Sequence, residues 1–203
     1  EELKNKIAQD YFWLYDCSKI IGNVDFCVSF HQTKNQLFEH ESLLWAEAKQ
    51  GTSDIYKSIT QLILTIGKAR TFDRNLPPAM LGAFDCEKIA FIPYSEIHDV
   101  FYMNDFNWNV TPSNHDTKEF QFVENKVKSI IDEKALHFDF EKDDKELLKF
   151  IKNNFVVGKF GLTKIRIDKN NFMVIYNKWL QTVKPTIAVN WDIAKKSGII
   201  DGD

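Results

Sequence analysis

The run Leu43–Leu44–Trp45–Ala46–Glu47–Ala48–Lys49 leaves the chain few ways to fold. Its apolar start reads as a buried strand, yet it ends on two charges before Gln50–Gly51 breaks it. Residues two apart on a strand share a face, so Glu47 and Lys49 project side by side from the strand's end. A carboxylate beside an ammonium at the mouth of a buried strand suits a divalent cation held next to a phosphate. The plainer account is a strand that ends in solvated charges, and the neighbouring segments separate the two.

Upstream, Lys19–Phe30 has a strand pattern with Val24, Phe26, Val28 and Phe30 on one face. Asp25 lies within it, where a charge is expensive to bury unless it is paired or coordinated. The polar segment 31–41 is long enough to return the chain as an antiparallel hairpin, which sets Asp25 beside Glu47. Two bare carboxylates would repel and raise each other's pKa; Mg²⁺ between them removes that problem.

Asp25, the Glu47–Ala48–Lys49 tripeptide and a following helix carrying Gln61 resemble the core of the PD-(D/E)xK nucleases. More narrowly they resemble the N-terminal nuclease region of restriction enzymes, such as type I restriction (R) subunits and fused restriction–methylation enzymes. The resemblance spans Asp10 to Tyr94. Val24 stands where that family often has proline, and Glu1, Glu2 and Asp10 are the candidates for its first-helix acid. The resemblance implies an α/β, restriction-endonuclease-like mixed sheet and Mg²⁺-dependent hydrolysis of phosphodiester bonds in double-stranded DNA. Asp25 and Glu47 would ligate the metal with the carbonyl of Ala48. Lys49 would orient the water or stabilise the pentavalent charge, and Gln61 would position DNA or the lysine. Methyltransferase or motor domains of a restriction system would follow as partners.

The composition admits this reading. Of 203 residues 44% are hydrophobic and 17 are Phe, ample for a core in one or two domains. The net charge of −3 argues against a chain wrapped all round in nucleic acid and leaves room for a local basic site. Cys17, Cys27 and Cys86 are widely spaced and form no CxxC, so reduced thiols in a cytoplasm are expected. No apolar run is long enough to suggest a membrane span. The chain opens inside a helical pattern without Met, which suggests a fragment of a longer protein.

Leu3, Ile7, Ala8, Tyr11 and Phe12 fall at helical spacing, and Trp13–Tyr15 is expected to pack that helix on the sheet. After the Glu-x-Lys strand, a helix over 54–70 buries Ile55, Ile59, Leu62 and Ile66 and sets Lys57, Gln61 and Lys68 together on another face. Lys57, Lys68, Arg70 and Arg74 outnumber Asp54 and Asp73 there, which points to contact with a phosphate backbone. Leu76–Pro77–Pro78 stops the helix, and two strands follow around Asp85–Cys86–Glu87. A short helix over 95–103 leads to the Asn-rich stretch 104–115, which divides a nuclease domain (1–104) from a mainly helical accessory or linker domain (105–203). In the latter, helices are expected over 116–134 (Phe120, Val123, Val127 and Ile130 inward), 143–155, 170–182 and 191–196.

Other motifs fail on spacing. Gly158–Lys164 lacks the order of a phosphate loop, so no ATPase motor lies here. His98–Asp99 and His115–Asp116 read as surface histidines, and no zinc spacing is present. Two alternatives remain: a non-catalytic DNA-binding or docking domain of the same fold in a restriction–modification assembly, and a DNA-repair nuclease.

Overall fold

The computed structural model describes residues 1–31, 42–73 and 75–160, with side chains to 155, and scattered positions between 169 and 180. The chain divides into two compact units, 1–31 with 40–166 and 32–39 with 167–203. In the second, the rings of Phe172 and Tyr176 stack with centroids 5.7 Å apart. The expected helices over 170–182 and 191–196 fall largely or wholly outside the described residues.

The first unit is built on a five-stranded mixed sheet in the order β1-β2-β3-β4-β5: Phe26–Ser29, Ser42–Ala48, Met80–Phe84, Lys88–Pro93 and Leu136–Asp139. Only β2 and β3 run parallel, because the helix α2 (Ile55–Ala69) crosses over between them; the other pairs are antiparallel. Period-two alternation gives β1 to β4 two apolar faces each. Cys27, Trp45, Leu81, Ala83, Ala90 and Ile92 face α2 and α4 (Lys118–Lys134). Phe26, Val28, Leu44, Phe84, Ile89 and Phe91 face α1 (Glu2–Tyr11) and α5 (Asp144–Phe160). The short helix α3 (Tyr94–Ile97) continues β4 into a 3₁₀ segment over His98–Tyr102.

Several expectations shift. The first strand starts at Phe26 rather than Lys19, because Gly22 (φ 59°) and the Val24 N–H bonded to the Ile21 carbonyl turn the chain. Val24 therefore joins the core on the α2 side, away from Phe26 and Val28. Phe12 and Tyr15 are buried, but Trp13 and Leu14 are exposed. On α4 the fourth inward residue is Ile131, not Ile130. His98 is buried against Tyr94 and Tyr102 rather than on the surface, and His115 lies against the Phe120 ring.

The division expected at 104/105 differs most from what is seen. Helix α4 packs on α2, β5 is hydrogen-bonded to β4, and α5 covers the far face of the sheet, so 105–155 completes the same layered unit. Strand β5 is short and exposed at its start, which hides it from a pattern search.

Candidate active site

The β1–β2 register pairs Phe26 with Ala46, so Asp25, the residue before β1, stands opposite Glu47 at the end of β2. Cys27 and Trp45, one step inside, face α2; alternation therefore sends Asp25, Glu47 and Lys49 to the α2 side. The Ala48 N–H donates to Asp25 Oδ2 at 3.3 Å and fixes that carboxylate on the strand's end.

Helix α2 starts cleanly. Asp54 accepts from the N–H groups of Tyr56 and Lys57, and Arg70 ends it in the left-handed region at φ 48°. Its apolar stripe is locked into the core, which leaves Gln61 at the sheet's edge. Gln61 Nε2 donates to Glu47 Oε1 at 2.6 Å, while its Oε1 accepts from Lys49 Nζ at 2.6 Å. Lys49 Nζ also donates to Glu47 Oε1 at 2.9 Å, closing a three-membered ring of hydrogen bonds. The Glu47 side chain is 4% exposed and that of Lys49 27%.

Burial pushes the Glu47 pKa up, the hydrogen bond and charge of Lys49 oppose it, and the Asp25 carboxylate, within hydrogen-bonding reach, adds to the rise; the result is about 7. Stability follows. The folded state holds a proton on Glu47 that the unfolded chain gives up above its ordinary value, so this contribution is full at low pH and is lost as pH rises through about 7. Glu47→Gln is expected to remove that falling limb, whose slope is at most about 1.4 kcal/mol per pH unit, and to leave the variant the more stable protein above pH 7 in EDTA. Urea unfolding from pH 5 to 8 measures it. Parallel curves for the two proteins would place the strain elsewhere.

These groups line an open cleft of ≈ 440 Å³. Asp25, Glu47, Ala48, Lys49 and Gln61 form one part of it, and Asn23, Thr65, Lys68, Pro112 and Ser113 complete it. Thr65 lies one helical turn after Gln61, a spacing that the helix pattern makes legible. Nothing in the sequence points to Pro112 and Ser113.

The expected basic residues are placed unevenly. Lys57 is exposed on α2. Lys68 Nζ donates to the Val110 carbonyl at 2.6 Å. Arg70 is bound to the Asp73 carboxylate, and its guanidinium lies 5.2 Å from the centre of the Phe72 ring. Arg74 falls outside the described residues. Helix α1 packs on the opposite face of the sheet, so Glu1, Glu2 and Asp10 do not line the cleft.

Asp85 forms a separate polar centre. Burial alone would raise its pKa, but hydrogen bonds from Glu87 N–H, Ser53 N–H and hydroxyl, and Lys88 N–H hold it below the usual carboxylate value. It ties the β3–β4 turn to the loop before α2.

Among the described residues no group of three or more His, Cys, Asp and Glu side chains is placed to hold a metal. A cation at Glu47 would rest on two carboxylates and the Ala48 carbonyl. That all-oxygen set fits Mg²⁺. Comparison with protein-family models, curated proteins and solved structures found no match.

Proposed function

We propose that the cleft is the active site of a Mg²⁺-dependent DNA endonuclease with a restriction-endonuclease-like core of the PD-(D/E)xK class, acting within a restriction–modification enzyme. The observation that carries this reading is the meeting of Asp25, Glu47, Lys49 and Gln61 at one cleft, from two strands and a crossover helix. The order of elements, antiparallel pair, crossover helix, parallel strand and antiparallel strand, supports it.

Asp25, Glu47 and the Ala48 carbonyl would hold the cation. When bound, Mg²⁺ supplies Lewis-acid polarisation of a phosphate and a more acidic water. Lys49 has three N–H groups; two are directed to Glu47 and Gln61, which leaves one for the developing charge on a scissile phosphate. Gln61 holds the ammonium by its carbonyl and Glu47 by its amide, so it sets the rotamers of both. Duplex DNA would lie along the α2 side of the cleft, and sequence choice would fall to methyltransferase or motor partners.

The test is incubation of supercoiled plasmid with the full-length protein in Mg²⁺ and in EDTA. Nicking in Mg²⁺ alone supports the proposal; none in either, with binding intact, turns the reading to a docking domain.

Salt titration of duplex binding grades the basic residues. Each phosphate contact contributes roughly −0.9 to the slope of log K against log salt. Lys57 is exposed and makes no ion pair among the described residues, so Lys57→Ala is expected to flatten the slope by about one unit. Arg70 is already paired with Asp73, and Arg70→Ala is expected to change the slope by under about half a unit. Equal effects would mean that the Asp73 pair opens on DNA.

A further inference from the structure

Helix α4 buries Phe120, Val123, Val127 and Ile131. At 100° per residue its opposite face carries Lys118, Gln121, Phe122, Asn125, Lys126 and Ser129, all exposed. No carboxylate lies on that face over these three turns; Asp132 and Glu133 come only in the last turn. Glu119, at the edge of the face, is taken up by the Asn107 amide at 3.3 Å. Phe122 is 53% exposed, with a lysine one turn before it and another one turn after. Among the described residues neither Lys118 nor Lys126 makes an ion pair, so both ammoniums face solvent beside the ring.

A chain of ring contacts joins this face to the edge of the cleft. The Phe122 ring lies 5.8 Å from that of Phe106, and Phe106 lies 4.6 Å from Trp108. Trp108 sits on Gly67 of α2 so closely that a Cβ there would meet its ring at 2.0 Å. The next residue, Lys68, lines the cleft and donates to the Val110 carbonyl at 2.6 Å. Phe106 and Trp108 are themselves only half-buried. An aromatic patch flanked by free ammoniums suits a partner that is apolar and anionic at once, as a sugar–phosphate backbone is. We propose that the outer face of α4 is a second DNA-contact surface. Lys118 and Lys126, about 12 Å apart along the helix axis, each take a phosphate of the duplex, and Phe122 packs on the deoxyribose between them. The proposal rests on the DNA reading and extends the path of the duplex from the α2 side of the cleft onto α4.

Charge and apolar contact can be read separately. Duplex binding by the full-length protein is measured by fluorescence anisotropy across a salt series, in Ca²⁺ to suppress cleavage. The wild type is compared with Lys118→Ala/Lys126→Ala, with Phe122→Ala, and with Lys149→Ala/Lys152→Ala on α5, which covers the other face of the sheet. Both lysine pairs are exposed and each double variant removes the same positive charge, so their difference reports position rather than net charge. The α4 pair is expected to flatten the slope of log K against log salt by roughly two units, and the α5 pair by under about half a unit. Phe122→Ala should weaken binding about fivefold at every salt concentration and keep the wild-type slope. All these positions are exposed, so melting temperatures should not move.

A wild-type slope in Lys118→Ala/Lys126→Ala, equal flattening by the α5 pair, wild-type affinity in Phe122→Ala, or a wild type that does not bind duplex overturns the surface. So does self-association of the wild type in sedimentation velocity that Phe122→Ala abolishes while DNA binding stays unchanged, which would give the face to a second copy of the chain. Failure of the nuclease reading appears separately, as wild-type protein that binds duplex in Ca²⁺ with the slopes above and leaves it intact in Mg²⁺.

Discussion

Glu47→Ala is expected to slow Mg²⁺-dependent DNA cleavage on the order of 10³-fold and to leave the fold standing. The rate loss equals about 4 kcal/mol of transition-state stabilisation, the scale of removing a group that holds the catalytic charge in place. The fold survives because Glu47, although only 3% exposed, sits at the strand's end and its charged form is disfavoured by burial. Deleting it relieves that cost and frees Lys49 for solvent. Gel quantification of nicked plasmid, beside thermal unfolding of the same samples, measures both halves. Unchanged cleavage removes Glu47 from the chemistry; lost cleavage with a collapsed melting temperature makes it a structural residue.

Asp85→Ala is expected to do the reverse, costing about 3 kcal/mol of stability without a direct part in chemistry. The Asp85 side chain is 0% exposed, accepts from three backbone N–H groups and the Ser53 hydroxyl, and faces the Lys88 ammonium at 3.5 Å. Truncation removes the acceptor those donors share beneath the turn, the costly way to break a network centred on a buried charge. Asp85→Asn, which keeps an acceptor, should lose about half as much. Urea unfolding at pH 7 reads both, and a loss under about 1 kcal/mol for the alanine variant would mean that water replaces the carboxylate.

Which parts were legible follows from how local their physics is. The strand ending in Glu47 and Lys49 is legible as an apolar run, and its charges point to a site only together with Asp25 upstream and the helix downstream. Helical periodicity puts Gln61 on a polar face with Lys57 and Lys68; its tie to Lys49 is legible only through the resemblance. The stripe of α2 is likewise local, but the helix ends at Ala69 with Arg70 in the left-handed region, well before Pro77–Pro78. What was missed depends on distant pairing. Strand β5 gains its hydrogen bonds from β4, with α3 and α4 between them in the chain. Its own four residues carry little signal. The Asn-rich stretch reads as a domain boundary because its polar residues satisfy their own turns; Trp108 over Gly67 and Lys68 on Val110 tie it to α2 instead. Arg70 counts among the expected phosphate contacts in the sequence; the turn after its φ 48° cap brings it onto Asp73 instead.

The central claim is that Asp25 and Glu47 share one hard cation, and calorimetric titration with Mn²⁺ tests it without depending on turnover. The wild type is expected to take up one ion per cleft and to release protons as it binds below pH 7, because Glu47 must ionise to ligate. Asp25→Asn and Glu47→Gln should each weaken that uptake at least about tenfold, while Asp85→Asn, buried but outside the cleft, should leave it unchanged. Equal Mn²⁺ uptake by the wild type, Asp25→Asn and Glu47→Gln would contradict the account.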